Sequence, residues 1–376
     1  MPILANDGAA RRALREALFS PRRIAIVGAS DDRSKTAARP LLYLRRNGFA
    51  GIIYPVNARR DTVQGERAWP SLAALPERPD HVYVLTPTEV AIDAVGECAR
   101  LGIPVVTVLA DGFAGAAGAA RVARIADICA RSRVRVVGPS SLGVVDLRAR
   151  LLLTANAAFA EPDLPVGRIF AASHSGSLIG ALVSRGKARG IGFAGLVSVG
   201  VEVDLSIGEI CATTLDDPDI DGYLLFLETL RHAAALRSFA LAAAERGKPI
   251  VAYKLGRSPA ARELTVSHTG ALAGEDDVAD AFLADCGIAR VATFEALLES
   301  PAAARPPAAR PRRRAQTQRR GADDDGRRRR HGGRSGRRAR RRSDRPDWRD
   351  AFSPGRGGRG GRARPHRRSH ARGSPL

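Results

Sequence analysis

Ser267, His268, Thr269 and Gly270 stand together in LTVSHTGALAGEDD, residues 264–277. A histidine held on one ring nitrogen by a carboxylate and free on the other is a base or nucleophile near neutral pH. Glu228, directly after the apolar run GYLLFL, can be that carboxylate; a solvated glutamate at a strand end is the other reading. SHSGSLIGAL, residues 173–182, brings Ser173, Ser175 and Gly176 to a helix start. There, backbone N–H groups and the helix dipole can hold an anion, or the hydroxyls can simply cap the helix. IAIVGAS sets Gly28 and Ser30 at a strand-to-helix turn, with Lys35 close behind. The full GxGxxG pattern is missing, so a phosphate site and a purely structural turn both remain open. No His, Cys and carboxylate spacing suits a metal, and the GxSxG elbow of a serine hydrolase is absent. His268 therefore stands as a phosphate-accepting nucleophile or as a structural histidine.

The elements that would position these groups alternate. The apolar runs RIAIVGAS, IIYPVN, HVYVLT, PVVTVL and RVRVVGPS are separated by helical patterns such as TEVAIDAVGECARLG. Continuous apolar strands between helices predict a parallel sheet covered on both faces. After a connecting stretch, LRARLLLTANAAFAEPDLPVG, the runs RIFAASHSG, FAGLVSVG, DGYLLFLET, PIVAYKLG and ARVAT repeat the alternation. The expected fold class is α/β. It has an N-terminal helix (1–18), a Rossmann-like domain (19–147), a connection (148–164) and a flavodoxin-like open parallel-sheet domain (165–300). A disordered Arg-rich tail (301–376) follows. In such sheets ligands bind outside the carboxyl ends of the strands, where the polar, glycine-rich segments lie.

Charge divides the chain unevenly. Residues 301–376 hold 26 Arg, no Lys and 6 Asp, net +20, of the total +21. The body is close to neutral, which argues against a nucleic-acid-binding core. The tail has no Val or Ile and cannot bury enough apolar surface to fold alone. The four cysteines are scattered, with no CxxC, which suits a reducing compartment. The N-terminus lacks a continuous apolar segment, and no run reaches the ~18–20 apolar residues of a membrane span. The expectation is a soluble cytoplasmic protein with no membrane partner.

FSPRRIAIVGAS, GIIYPVN, GPSSLG, SHSGS, SVGVEVDL, the glutamate of LET, and KLGRS followed by SHTGALAG occur in one order between residues 19 and 300. In that order the chain resembles the NDP-forming acyl-CoA synthetases, relatives of the succinyl-CoA synthetase α subunit. The resemblance implies that the first domain binds coenzyme A, with Gly28, Ser30, Lys35, Asn57 and Thr86 in its motifs. It implies that His268 is transiently phosphorylated and that Glu228 steadies it. Ser173, Ser175, Gly176, Ser267 and Gly270 then serve the phosphate. The implied reaction is acyl-CoA + phosphate ⇌ acyl phosphate + CoA, followed by phosphoryl transfer to His268 and on to ADP or GDP, with no resident metal. Ser140, His174 and Val201 depart from the usual Asn, Gln and Asn, a loss of amides expected to alter acyl choice or weaken catalysis. A non-catalytic CoA-binding protein is the alternative.

The family also uses a third α/β domain and an ATP-grasp domain, which would bring ADP or ATP with Mg, in the same chain or in a β-like partner subunit. Neither is expected in this sequence. Across GADDDGRRRRHGG, residues 321–333, a one-nucleotide shift of permitted GC-rich codons opens a glycine-rich frame. The expectation is a truncated chain whose tail is a frameshifted translation. The competing expectation is a genuine tail binding RNA or DNA non-specifically through phosphates, with Trp348 and Phe352 its only stacking groups.

Overall fold

The computed structural model describes residues 8–256 and 276–303. A first helix, α1 (Gly8–Phe19), buries Ala17, Leu18 and Phe19 in its last turn. The next strands are β1 (Arg23–Val27), β2 (Ile52–Val56), a small hairpin of β3 (Thr62–Val63) and β4 (Glu66–Arg67), β5 (His81–Val84), β6 (Val105–Val108) and β7 (Arg135–Val137). All but the hairpin join in one parallel sheet, ordered β2-β1-β5-β6-β7. Helices α2 (Arg39–Arg46), α3 (Thr88–Arg100) and α4 (Gly115–Ala130) supply the crossovers.

The strands are mostly apolar because the sheet is covered on both faces. Ala25, Val82, Val84, Val106 and Val108 pack on Ile92, Val95 and Ile125 of α3 and α4. Ile24, Ile26 and Tyr83 face the opposite way, onto Leu41 and Leu44 of α2. Fully burying each such side chain stabilises the fold by roughly 1.5–3 kcal/mol. A fully buried histidine breaks the apolar pattern of β5. His81 donates from Nδ1 to the Ala17 carbonyl at 3.0 Å and accepts on Nε2 from the Thr107 hydroxyl at 2.7 Å. It thereby fastens α1 to the sheet, and burial pushes its pKa down to about 4.

The second sheet is mixed, where the sequence predicts a parallel one. Its strands are β8 (Gly143–Asp146), β9 (Leu151–Thr154), β10 (Val166–Ser173), β11 (Phe193–Ser198), β12 (Gly222–Leu227), β13 (Ile250–Lys254) and β14 (Ala289–Val291), in the order β14-β13-β12-β10-β11-β8-β9. β10 to β14 are parallel, and β8 and β9 are antiparallel additions at one edge. The stretch read as a connection thus contains a strand. A tight turn ending at Arg150, with φ 55°, reverses the chain between β8 and β9. LLLT is then buried on both sides. Leu151 and Leu153 meet Leu41 and Leu44 of α2, and Leu152 joins Val145 and Phe159.

Helices α5 (Gly176–Ala188), α6 (Ile207–Ala212), α7 (Ala233–Glu245), α8 (Asp276–Asp285) and α9 (Phe294–Ala303) accompany the second sheet. The short α6 starts on a capping box, Ser206 and Glu209 satisfying each other's backbone N–H. Among the described residues, no helix is long and apolar enough to cross a membrane.

Setting the hairpin aside, the parallel strands of the first sheet run 2-1-3-4-5, and so do β10 to β14 in theirs. Each sheet therefore reverses direction once, between β1 and β5 and between β10 and β12. Such a reversal parts the connecting loops and leaves a crevice at the carboxyl ends of the strands.

Candidate active site

At the first crevice, Gly28 leaves β1 with φ +85°, and a side chain there would press on Thr86 and the Leu85 carbonyl. A bare backbone at this turn lets a ligand approach closely. Asn57 ties β2 to the turn, donating to the Ala29 carbonyl at 2.9 Å. Ser30 accepts from the Asp32 N–H at 3.1 Å, and its carbonyl takes the Gln64 amide at 2.9 Å. Lys35 is exposed, 3.9 Å from Asp32. The Thr86 hydroxyl is buried without a hydrogen-bond partner, which is costly unless a ligand supplies one. An orphaned hydroxyl beside a bare glycine turn at a switch point fits a ligand such as coenzyme A.

The second crevice opens into a cleft of about 360 Å³. Ser175, Gly176 and Ser177 form one wall at the start of α5. Gly200 and Val201, after β11, and Glu228, after β12, form another. The first domain closes it with Asp111 and Phe113, after β6, and Ser140 and Leu142, after β7. Gly176 packs so tightly on Leu142 that a Cβ would lie 2.4 Å from Leu142 Cδ1. The Ser175 side chain makes no cap bond, and its hydroxyl meets that of Ser177 at 2.9 Å. The amides at the start of α5 consequently stand beside the cleft without a side-chain cap, an arrangement suited to an anion. Ser173 stands behind this wall, fully buried, its hydroxyl donating to the Ser175 carbonyl at 2.6 Å.

His174 is buried and engaged at both ring nitrogens. Its Nδ1 accepts from the Glu228 N–H at 3.0 Å, so the proton sits on Nε2, which donates to Glu202 Oε2 at 2.8 Å. Glu202, φ +54°, also accepts from the Ile207 N–H at 2.7 Å, and its carbonyl takes Nε2–H of His232 at 2.9 Å. Burial pushes the Glu202 pKa up, but its contact with His174 and the Ile207 amide outweigh burial and hold the carboxyl below its ordinary value. The imidazole therefore braces the ends of β10, β11 and β12 at the edge of the cleft.

The stretch carrying Glu202 also joins the two domains. Val201, Val203 and Leu205 donate N–H bonds to the carbonyls of Pro139, Gly138 and Val136 at 2.9, 3.1 and 3.0 Å, running along the outer edge of β7. Arg135 of β7 adds ion pairs to Asp204 at 2.9 Å and Glu209 at 3.0 Å.

His268, Ser267 and Gly270 lie outside the described residues. The flanks of that segment are described. Arg290 donates to the Lys254 carbonyl at 3.3 Å and to Asp276 at 2.5 Å, holding the end of β13 beside the start of α8. β13 pairs with β12 so that Lys254 lies opposite Leu227, next to Glu228. Burial, and the charge of Arg290, lower the Lys254 pKa.

The structure thus gathers Ser175, Gly176 and Glu228 in one cleft, and Gly28, Ser30, Asn57 and Thr86 at the other crevice. Sequence reasoning missed Glu202 and Arg231, both beside His174. SVGVEVDL marked the strand end, but nothing in its spacing shows Glu202 turning inward to a histidine 28 residues earlier.

Comparisons with known proteins accord with this division. Residues 22–146 match the family described as CoA binding domain, and residues 166–304 the succinyl-CoA ligase like flavodoxin domain. The chain is 30% identical over 279 residues to the ADP-forming acetate–CoA ligase of Methanocaldococcus jannaschii, covering 74% of this chain and 38% of that one. It is 31% identical over 289 residues to the ADP-forming 4-hydroxybutyrate–CoA ligase of Nitrosopumilus maritimus, covering 76% of this chain and 41% of that one. The chain therefore spans about two fifths of these relatives' length. Acetyl-coenzyme A synthetase 1 of Ca. Korarchaeum cryptofilum, solved with phosphate and ADP, superposes with a TM-score of 0.71 at 27% identity, covering 77% of this chain and 62% of that one. By its two domains and their order, the chain belongs to the NDP-forming acyl-CoA synthetase family.

Proposed function

We propose that the chain is the α-like portion of an ADP-forming acid–CoA ligase working through a phosphohistidine at His268. The observation that carries this reading is the cleft itself. It unites an uncapped helix start at Gly176, a buried carboxylate at Glu228 and loops of the CoA-type domain. Gly28, Ser30, Lys35, Asn57 and Thr86 would hold coenzyme A, and Ser175 and Gly176 the phosphate, with Ser173 supporting their loop.

A phosphate oxygen attacks the thioester carbonyl; the C–O bond forms, the C–S bond breaks and CoA leaves as its thiolate. A ring nitrogen of His268 then attacks phosphorus and releases the carboxylate, and the phosphoryl group passes on to ADP. The amides of α5 stabilise charge on phosphate, and Glu228 holds the imidazole and the positive charge it gains. Ser267 and Gly270, next to His268 in sequence, would serve the phosphate. The nucleotide step belongs to an ATP-grasp domain or β-like partner subunit, with Mg. Residues 301–376 are proposed to be a frameshifted reading, checked by sequencing the gene across codons 295–340.

The test is His268→Ala in the full chain, followed by acyl-CoA binding and by acid-labile labelling from acyl-CoA and radioactive phosphate. CoA binding should survive while labelling disappears. A chain that binds CoA and never labels, even in wild type, is a CoA-binding protein and not a ligase.

A further inference from the structure

Among the described residues of the second crevice, His174 joins the ends of β10, β11 and β12 through its side chain, and it is a titratable group. Neutral His174 accepts the Glu228 N–H on Nδ1 and donates Nε2–H to Glu202. Glutamine can reproduce that pattern at every pH, its carbonyl accepting and its amide donating. Histidine cannot. A proton on Nδ1 sets two donors against each other and leaves the buried Glu228 N–H without an acceptor.

We propose that His174 is a positioning residue whose protonation releases the backbone of Glu228 and so switches off the carboxylate's alignment in the cleft. The proposal rests on the ligase reading for its catalytic consequence, and on geometry alone for the brace.

The groups around the imidazole define what its proton meets. Glu202 comes from the stretch after β11 and Glu228 from the end of β12. Arg231 and His232 precede α7, and Asp111 reaches the cleft from the loop after β6. Cys211 of α6 is buried, its thiol pushed up by burial and by Glu202, and stays neutral. Glu202 is the anion in direct contact. It keeps the charged imidazole in place, so protonation occurs inside the folded site instead of expelling the ring. The Glu228 amide then has to move.

Two measurements on the full chain test this, with wild type, His174→Gln and His174→Ala compared. In the first, chains carry 15N-histidine and 15N-glutamate, and the ring signal lost in His174→Gln identifies His174. The expected spectrum shows the Nε2–H tautomer at high pH. The Glu228 amide should shift with the midpoint of the His174 ring and lose that transition in the glutamine variant. An Nδ1–H tautomer, or a Glu228 amide indifferent to the ring, overturns the proposal.

The second measurement follows labelling from acyl-CoA and phosphate across the pH range in which the spectra show the His174 ring to change. The ratio of wild type to His174→Gln cancels the titration of phosphate and of His268. Below the His174 midpoint it should fall about tenfold per pH unit and be flat above it. His174→Ala should be slow at all pH values. A flat ratio throughout overturns the proposal. Absence of labelling in every chain overturns the ligase reading instead, and the spectra then decide the brace alone.

Discussion

Two buried carboxylates stand on either side of the end of β10 at the second crevice, and their surroundings assign them different work. Glu202 is bound by His174 and the Ile207 amide and kept ionised below its ordinary range. Its lone pairs are committed inside the protein, which makes it scaffold. Glu228 lines the cleft and offers its main chain, not its carboxylate, to His174. In Glu228→Gln the shape is kept and the charge lost, so acid-labile labelling should fall about 100-fold. Coenzyme A affinity, followed by calorimetry, should be unchanged. Labelling at the wild-type rate would end the assignment of Glu228 to the phosphohistidine. Glu228 was legible in the sequence because a carboxylate after six apolar residues is conspicuous. Glu202 was not, because its partner is 28 residues away and only the backbone turn at φ +54° brings them together.

At the level of elements, α1 is fastened by a pH-dependent contact. His81 is neutral in the fold, its pKa lowered from 6.5 to about 4 by burial. Between those values the unfolded chain binds the extra proton and the folded one does not, so stability rises with pH. The contribution is present in full above pH 6.5 and is lost as pH falls toward 4, about 3 kcal/mol in all. Denaturant unfolding at stepped pH should show that slope in wild type, and His81→Gln should flatten it. Parallel slopes in the two proteins would show that another group governs the acid limb. Most of the parallel strands could be read from sequence, since burial on both faces makes them largely apolar runs. β8 and β9 escaped notice for a physical reason. LLLT pairs with β8 and completes its burial against α2 of the preceding domain, and that contact between distant residues has no local signature.

For the whole molecule, the decisive contact is the one that seats the second sheet against the first. Residues 201–205 lie along β7, and Arg135, largely buried, grips Asp204 and Glu209. Arg135→Met keeps the bulk and removes the cation shared by Asp204 and Glu209, a loss of about 3 kcal/mol. Unfolding should then separate into two transitions, one for each domain, in calorimetry, where wild type gives one. A single unshifted transition would show that the domains are held elsewhere. The same contact has a consequence for biogenesis. β7 leaves the ribosome well before residues 201–205, so the nascent first domain carries a bare, β-rich edge for on the order of several seconds. Such an edge recruits other strands. A chain arrested anywhere between these two segments is the form that chaperones should be found holding.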